Sequence, residues 1–153
     1  MGLDDVEDKG LAGPFLGLDI GDARIGVARA DAATRIAIPA ETVKAGRGAR
    51  PADYIAGLVA EHGSRVIVVG WPLTLEGKEG RAVQKVQRFM DKLAVAIARA
   101  GIDAPEVIQW DERMTTTAAE SFLIGVDVSR SRRKKVVDQI AATHILQGYL
   151  DSL

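Results

Sequence analysis

A mixed α/β sheet with helices on its faces follows from three features of the sequence. Residues 15–43 fall into three short apolar runs separated by turn residues, the pattern of an antiparallel meander. Beyond them, "RVIVVG" and "PEVIQW" flank a long stretch of helical periodicity, the pattern of parallel strands joined by a crossover helix. With 153 residues, 47% of them hydrophobic, the chain has the size of one domain around a single core.

The elements follow in order. Phe15, Leu16, Leu18 and Ile20 read as a first strand, Ile25, Val27 and Ala28 as a second, and Gly21-Asp22-Ala23-Arg24 as the turn between them. "RIAIPAETV" (Arg35 to Val43) reads as a third strand, which Pro39 assigns to an edge. Pro51 opens a helix whose Ile55, Leu58 and Val59 share one face and which ends near Gly63. The β-branched "RVIVVG" suits a strand buried on both faces. Val83, Val86, Met90, Leu93 and Ile97 recur in steps of three and four, predicting a helix over 79–100 that Gly101 stops. "PEVIQW" is a fifth strand, "TTTAAESFLIG" a short helix and "KKVVDQIAATHILQGYL" a closing helix. A three-strand meander followed by helix, strand, helix, strand and helix is the element order of the ribonuclease H-like fold. Its mixed five-stranded sheet has the first strand at the centre and right-handed crossovers between its parallel strands. Residues 1–13 read as an acidic, flexible tail and 14–153 as the single domain.

The absence of cysteine excludes disulfides and thiolate metal sites. No signal peptide and no apolar run of about 20 residues is visible, so a soluble cytoplasmic protein without a membrane partner is expected. A net charge of −1 leaves nucleic-acid binding to local patches.

Asp19 interrupts the apolar first strand at its C-terminal end, on the face of Gly17 and Gly21, whose missing side chains would leave room for a ligand. Taken alone, it could equally serve the turn's amides. Asp111 and Glu112 follow the fifth strand, which a parallel arrangement brings to the same sheet edge. Asp138 lies on the stripe of Ala141, Ala142, Ile145 and Tyr149, the buried face of the closing helix. Carboxylates converging from two strands and a helix make an oxygen-only site for Mg²⁺ or Mn²⁺, the arrangement of two-metal phosphodiester hydrolysis. Strand alternation leaves open which of Asp111 and Glu112 is the ligand. His62 and His144 are expected to be structural or solvated.

Four ordered segments, "GLDIGDARIGVA", "VVGWPLTLEGKEGRAVQKVQRF", "DERMTTTAAE" and "KKVVDQIAATHILQGYL", resemble the successive motifs of the YqgF family. These are the RuvX-like Holliday junction resolvases, also described as pre-16S rRNA nucleases. The resemblance implies metal-dependent cleavage of structured nucleic acid, with Asp19, Asp111-Glu112 and Asp138 at the acidic positions. Trp71 stands where the family more often has an aliphatic residue, and Thr74 where it commonly has asparagine. Either a four-way DNA junction or precursor ribosomal RNA would be the substrate, and symmetric cutting of a junction would call for a homodimer. A noncatalytic nucleic-acid module of the same fold is the alternative, and a phosphotransferase of the actin and sugar-kinase type is disfavoured by the chain's length.

Candidate nucleic-acid contacts are Arg81, Lys85, Arg88 and Lys92, which share a helix face, and "SRSRRKK", which supplies Arg130, Arg132, Arg133, Lys134 and Lys135 as a segment ahead of the helix carrying Asp138. Arg24 and Arg113 flank the acids. Trp71 would either stack on a splayed base or close the core.

Overall fold

The computed structural model describes residues 13–111 and 130–153, with side chains in the last helix from residue 136 onward. These residues form strands β1 (Phe15–Ile20), β2 (Arg24–Ala30), β3 (Ile38–Lys44), β4 (Val66–Trp71) and β5 (Glu106–Asp111) and helices α1 (Pro51–His62), α2 (Arg81–Arg99) and α3 (Arg130–Asp151). They build one five-stranded sheet of order β3-β2-β1-β4-β5, with β1 at its centre. β1 runs antiparallel to β2 and parallel to β4, and β4 runs parallel to β5, which gives the expected mixed sheet. β3, with Pro39, lies on one edge, where the missing amide donor costs no inner ladder bond.

Alternation along the strands divides the core in two. Leu16, Leu18, Ile25, Val27, Ile67, Val69 and Trp71 face α1 and α2, where Ile55, Val59, Val86 and Leu93 meet them. Phe15, Ala28, Val66 and Val68 face α3 and pack against Ala142, Ile145, Leu146 and Tyr149. β4 is buried along its whole length, as its β-branched run requires. Among the described residues no helix is long and apolar enough to cross a membrane.

The two sides differ in side-chain size. On the α3 side the central strands present Gly17, Gly26, Ala28 and Ala30, so the helix comes down to backbone contact. A Cβ on Gly17 would lie 2.8 Å from the Cβ of Leu146 and 2.9 Å from the carbonyl oxygen of Ala142. A Cβ on Gly26 would overlap the main chain of Asp138. The space expected above Gly17 for a ligand is therefore filled by α3, which corrects that expectation.

Two boundaries lie three or more residues from the sequence reading. β3 begins at Ile38 rather than Arg35 because residues 31–35 form a turn. Asp31 Oδ1 accepts hydrogen bonds from the amide and hydroxyl of Thr34 at 2.7 and 2.8 Å, and Arg35 takes a left-handed φ of 54°. α3 begins at Arg130 rather than Lys134, so the basic run forms the first turns of the helix, not a loop ahead of it. The acidic tail, apart from Gly13, and the helix read in "TTTAAESFLIG" lie outside the described residues.

Gly26→Ala should destabilise the protein by about 3 kcal/mol, because backbone must move to admit the methyl group. In a domain of this size that lowers the melting temperature by roughly 6–12 °C. Gly57→Ala, inside α1 with nothing within 4 Å of the new Cβ, should be neutral or stabilising by up to about 1 kcal/mol. Thermal unfolding of both variants checks the pair, and equal effects would contradict the close approach.

Candidate functional site

Asp19 is the penultimate residue of β1 and is directly paired with Gly26 of β2. Residues paired in this way point to the same face of the sheet, with Cβ positions about 5 Å apart. Since the Gly26 position is covered by the main chain of Asp138, the part-buried Asp19 rises from the sheet beside the turn of α3 that carries Asp138. Two of the sequence-predicted acids are thus brought together, from the central strand and from a helix. They meet at the C-terminal end of β1, where the sheet stops at the turn closed by the amide of Gly21 donating to the carbonyl of Arg24 at 2.9 Å.

Arg24 opens β2 on the same face, two residues before Gly26. Its Nε donates to Oδ2 of Asp138 at 2.7 Å, with side chains 32% and 20% exposed. This charge-assisted bond ties the start of β2 to α3. Arg24, expected as a phosphate contact, is bonded to Asp138 in this structure. The signal is present in the sequence: Arg24, Gly26, Ala28 and Ala30 alternate along β2 as a basic residue followed by three small ones, the face of a strand on which another backbone lies.

Asp111 is placed differently. β5 pairs with β4 in the register Gly70↔Trp110 and Trp71↔Asp111. Trp110 makes an edge-on ring contact with Tyr149 of α3, at 6.4 Å between centroids. Alternation therefore turns the exposed Asp111 to the α1–α2 side, away from the face of Asp19. Glu112 and Arg113 lie outside the described residues, as do the side chains of Arg130, Arg132, Arg133, Lys134 and Lys135.

Trp71 is 6% exposed, packs in the α1–α2 core and donates its indole N–H to Glu79 at 3.0 Å. Of its two expected roles, closing the core is the one observed. Arg81, Lys85, Arg88 and Lys92 are exposed on α2, on the side of the sheet opposite Asp138, and Lys85 reaches Asp22 at 3.2 Å. His144 is exposed and His62 lies beside Arg29, neither of them near the acids.

Asp19 and Asp138 offer carboxylate oxygens only, the donor chemistry of a hard divalent ion. Among the described residues no three Asp, Glu or His side chains are close enough to share one ion. The pair fits Mg²⁺ or Mn²⁺ as part of a ligand set, completed by a further group or by water, as such ions commonly accept.

Comparison with known proteins agrees with this architecture. The RuvX family model, described as Holliday junction resolvase, matches residues 13–152. A protein of Chloroflexus aggregans named "Putative pre-16S rRNA nuclease" is 46% identical over 138 residues, covering 90% of this chain and 93% of its own. One of the same name from Halalkalibacterium halodurans is 43% identical over 138 residues, covering 89% and 94%. Among solved structures, Thermus thermophilus RuvC in complex with a Holliday junction superposes with a TM-score of 0.55 at 15% identity, covering 90% of this chain and 93% of that one. Fowlpox virus resolvase with Holliday junction DNA gives 0.54 at 12% identity, covering 91% and 97%. The fold is that of the RuvC-type, ribonuclease H-like resolvases.

The ion pair between Arg24 and Asp138 should show a coupling of about 1–2 kcal/mol in a double-mutant cycle of Arg24→Ala and Asp138→Asn read by chemical denaturation. Zero coupling would mean that the bond contributes nothing to holding α3 on β2.

Proposed function

Because the chain belongs to the RuvX family of Holliday junction resolvases, we propose that it is a divalent-metal-dependent nuclease that hydrolyses phosphodiester bonds in structured nucleic acid at the end of β1. The observation that carries this reading is the approach of Asp138 to Asp19 across the bare backbone of Gly26. Two carboxylates held together repel unless a cation accompanies them. Arg24 pairs with the Asp138 carboxylate, and the oxygen-only donors of the two acids suit a hard divalent ion. The third carboxylate we assign to Glu112, since the alternation that turns Asp111 to the α1–α2 side makes it the poorer of the two adjacent acids.

Bound Mg²⁺ or Mn²⁺ would polarise the scissile phosphate and lower the pKa of the attacking water. Asp19, at the end of the central strand, and Asp138, on a packed helix, would hold and orient that charge together with Glu112. Arg24, released from Asp138, would be free to donate to a phosphate oxygen. The basic run supports the same reading: Arg130, Arg132, Arg133, Lys134 and Lys135 occupy the first turns of α3, whose first turn holds no acid. Cations at the positive end of a helix dipole are unfavourable by themselves and become favourable beside phosphate. These turns begin about 12 Å along the helix axis from Asp138.

The relatives at 43% and 46% identity carry the name of pre-16S rRNA nucleases, so precursor 16S rRNA is the substrate proposed first. Four-way junction DNA is the second reading, favoured by the fold shared with junction-bound resolvases. A junction cut symmetrically would need a two-fold dimer with one site per subunit, whereas trimming an RNA end needs one site.

Asp19→Asn, Asp138→Asn and Glu112→Gln should each lower Mn²⁺-dependent cleavage by at least about a hundredfold, with folding retained, while Asp111→Asn keeps most activity. Purified variants assayed on precursor rRNA and on a four-way junction test both the residues and the substrate. Full activity in Asp19→Asn would overturn the site, and cleavage of the junction alone would overturn the rRNA assignment. Arg132→Ala with Arg133→Ala should weaken substrate binding in Ca²⁺ and reduce the slope of log affinity against log salt by roughly 1.4 to 1.8, since each phosphate no longer neutralised removes about 0.7 to 0.9. An unchanged slope would remove the basic run from the interface.

A further inference from the structure

On the opposite side of the sheet from Asp138, a cleft of about 1050 Å³ runs between α1, α2 and the β1–β2 turn. It reaches the same strand end as the acids, since Ile20, Gly21 and Asp22 form part of its wall. Arg81, Lys85, Arg88 and Lys92 line it from α2. Their steps of four, three and four residues make a row about 16 Å long. Arg50 faces them from the approach to α1, and two acids, Asp22 and Asp53, also line the cleft. The Lys85–Asp22 pair is exposed on both sides, so it binds Lys85 weakly and leaves it available to a better anion. Cations spaced three and four apart on a helix repel one another, a cost that a bound anionic strand reverses.

One further residue narrows the ligand. Phe89, part-buried against the α1–α2 core, also lines this cleft, with Lys85 one turn before it and Lys92 one turn after. A duplex keeps its bases stacked on one another, so it presents phosphate and groove edges but no free base face to lie on the exposed part of the Phe89 ring. A single strand offers an unstacked base as well as phosphate, and an aromatic platform among cations is the composition of a single-strand groove. We propose that this cleft binds a single-stranded segment of nucleic acid, with a base on Phe89 and the backbone along Arg81, Lys85, Arg88 and Lys92. Resting on the reading of the chain as a nuclease, the inference gives its substrate a form: a structured region at the acidic edge continuing, around the β1–β2 turn, into an unpaired flank. Such a flank occurs beside a stem in a folded RNA precursor and is missing from a fully paired four-way junction.

The test is fluorescence anisotropy of the full-length protein in EDTA, so that no metal bridges nucleic acid to the acids. The probes are a short single-stranded oligouridylate and a blunt duplex of the same length. Phe89→Leu, which keeps the core filled but removes the ring, should weaken single-strand binding about tenfold and leave duplex binding unchanged. Lys85→Ala with Lys92→Ala, both on the exposed face of α2, should weaken single-strand binding and reduce its salt slope by about 1.4, and this pair decides the question if Phe89→Leu fails to fold. Single-strand binding unaffected by the lysine pair, or a Phe89→Leu effect equal on both probes, overturns the cleft. Wild-type protein that binds only the duplex also overturns it while preserving the nuclease reading. Binding of neither probe likewise overturns the cleft, whereas failure to bind both precursor rRNA and a four-way junction in Ca²⁺ contradicts the nuclease reading itself.

Discussion

Helix α3 lies on β1 and β2 at backbone contact, and it does so because the positions beneath it, Gly17 and Gly26, carry no side chain. A methyl group at either would push the helix away, and with it Asp138, whose main chain covers Gly26 while its carboxylate is held by Arg24. The second core cluster closes over the same contact: Ala142, Ile145, Leu146 and Tyr149 reach Phe15, Ala28 and Val68 only at this spacing. Packing and the candidate site therefore share one cause, the small residues of the central strands, so that disturbing the site and loosening the α3 face are a single physical event.

The end of β1 divides two chemistries. On the α3 side lie the acids and the Arg24 bond, and on the α1–α2 side lies the cationic cleft. Kept apart by a sheet whose inner strands are buried, they interact only weakly at this separation and both remain available to a phosphate backbone that crosses the edge. Alternation along a single strand produces the division, since Asp19 points to one side and Ile20 to the other.

Much of this is legible in the sequence. β1 ends at Ile20 as its pattern predicts, α1 starts at Pro51 and stops at a left-handed Gly63, and the α2 stripe from Val83 to Ile97 is buried as its spacing requires. These features depend on local patterns: turn chemistry, caps and periodicity. The features that are not legible depend on tertiary contact. Nothing local shows that the space over Gly17 is taken by Leu146, and the small residues of β2 mark a covered face without naming Asp138 as the partner that holds Arg24 across 114 positions of sequence. Local pattern misplaces the start of β3 because the Asp31–Thr34 hydrogen bonds outweigh the strand propensity of the residues that follow. It misplaces the start of α3 because a run of like cations looks like a solvated loop, although its backbone is helical. The register of β5 against β4, which turns Asp111 from the face of Asp19, becomes visible only once the strands are paired.

The central claim is that Asp19 and Asp138 hold one divalent ion between them. Crystals of the protein soaked in Mn²⁺ and measured at the manganese absorption edge test it directly. The account predicts an anomalous peak about 2.1 Å from carboxylate oxygens of both Asp19 and Asp138, with the Arg24 guanidinium displaced from Oδ2 of Asp138. A peak elsewhere, or none at a Mn²⁺ concentration that supports cleavage with Arg24 still bonded to Asp138, would contradict it.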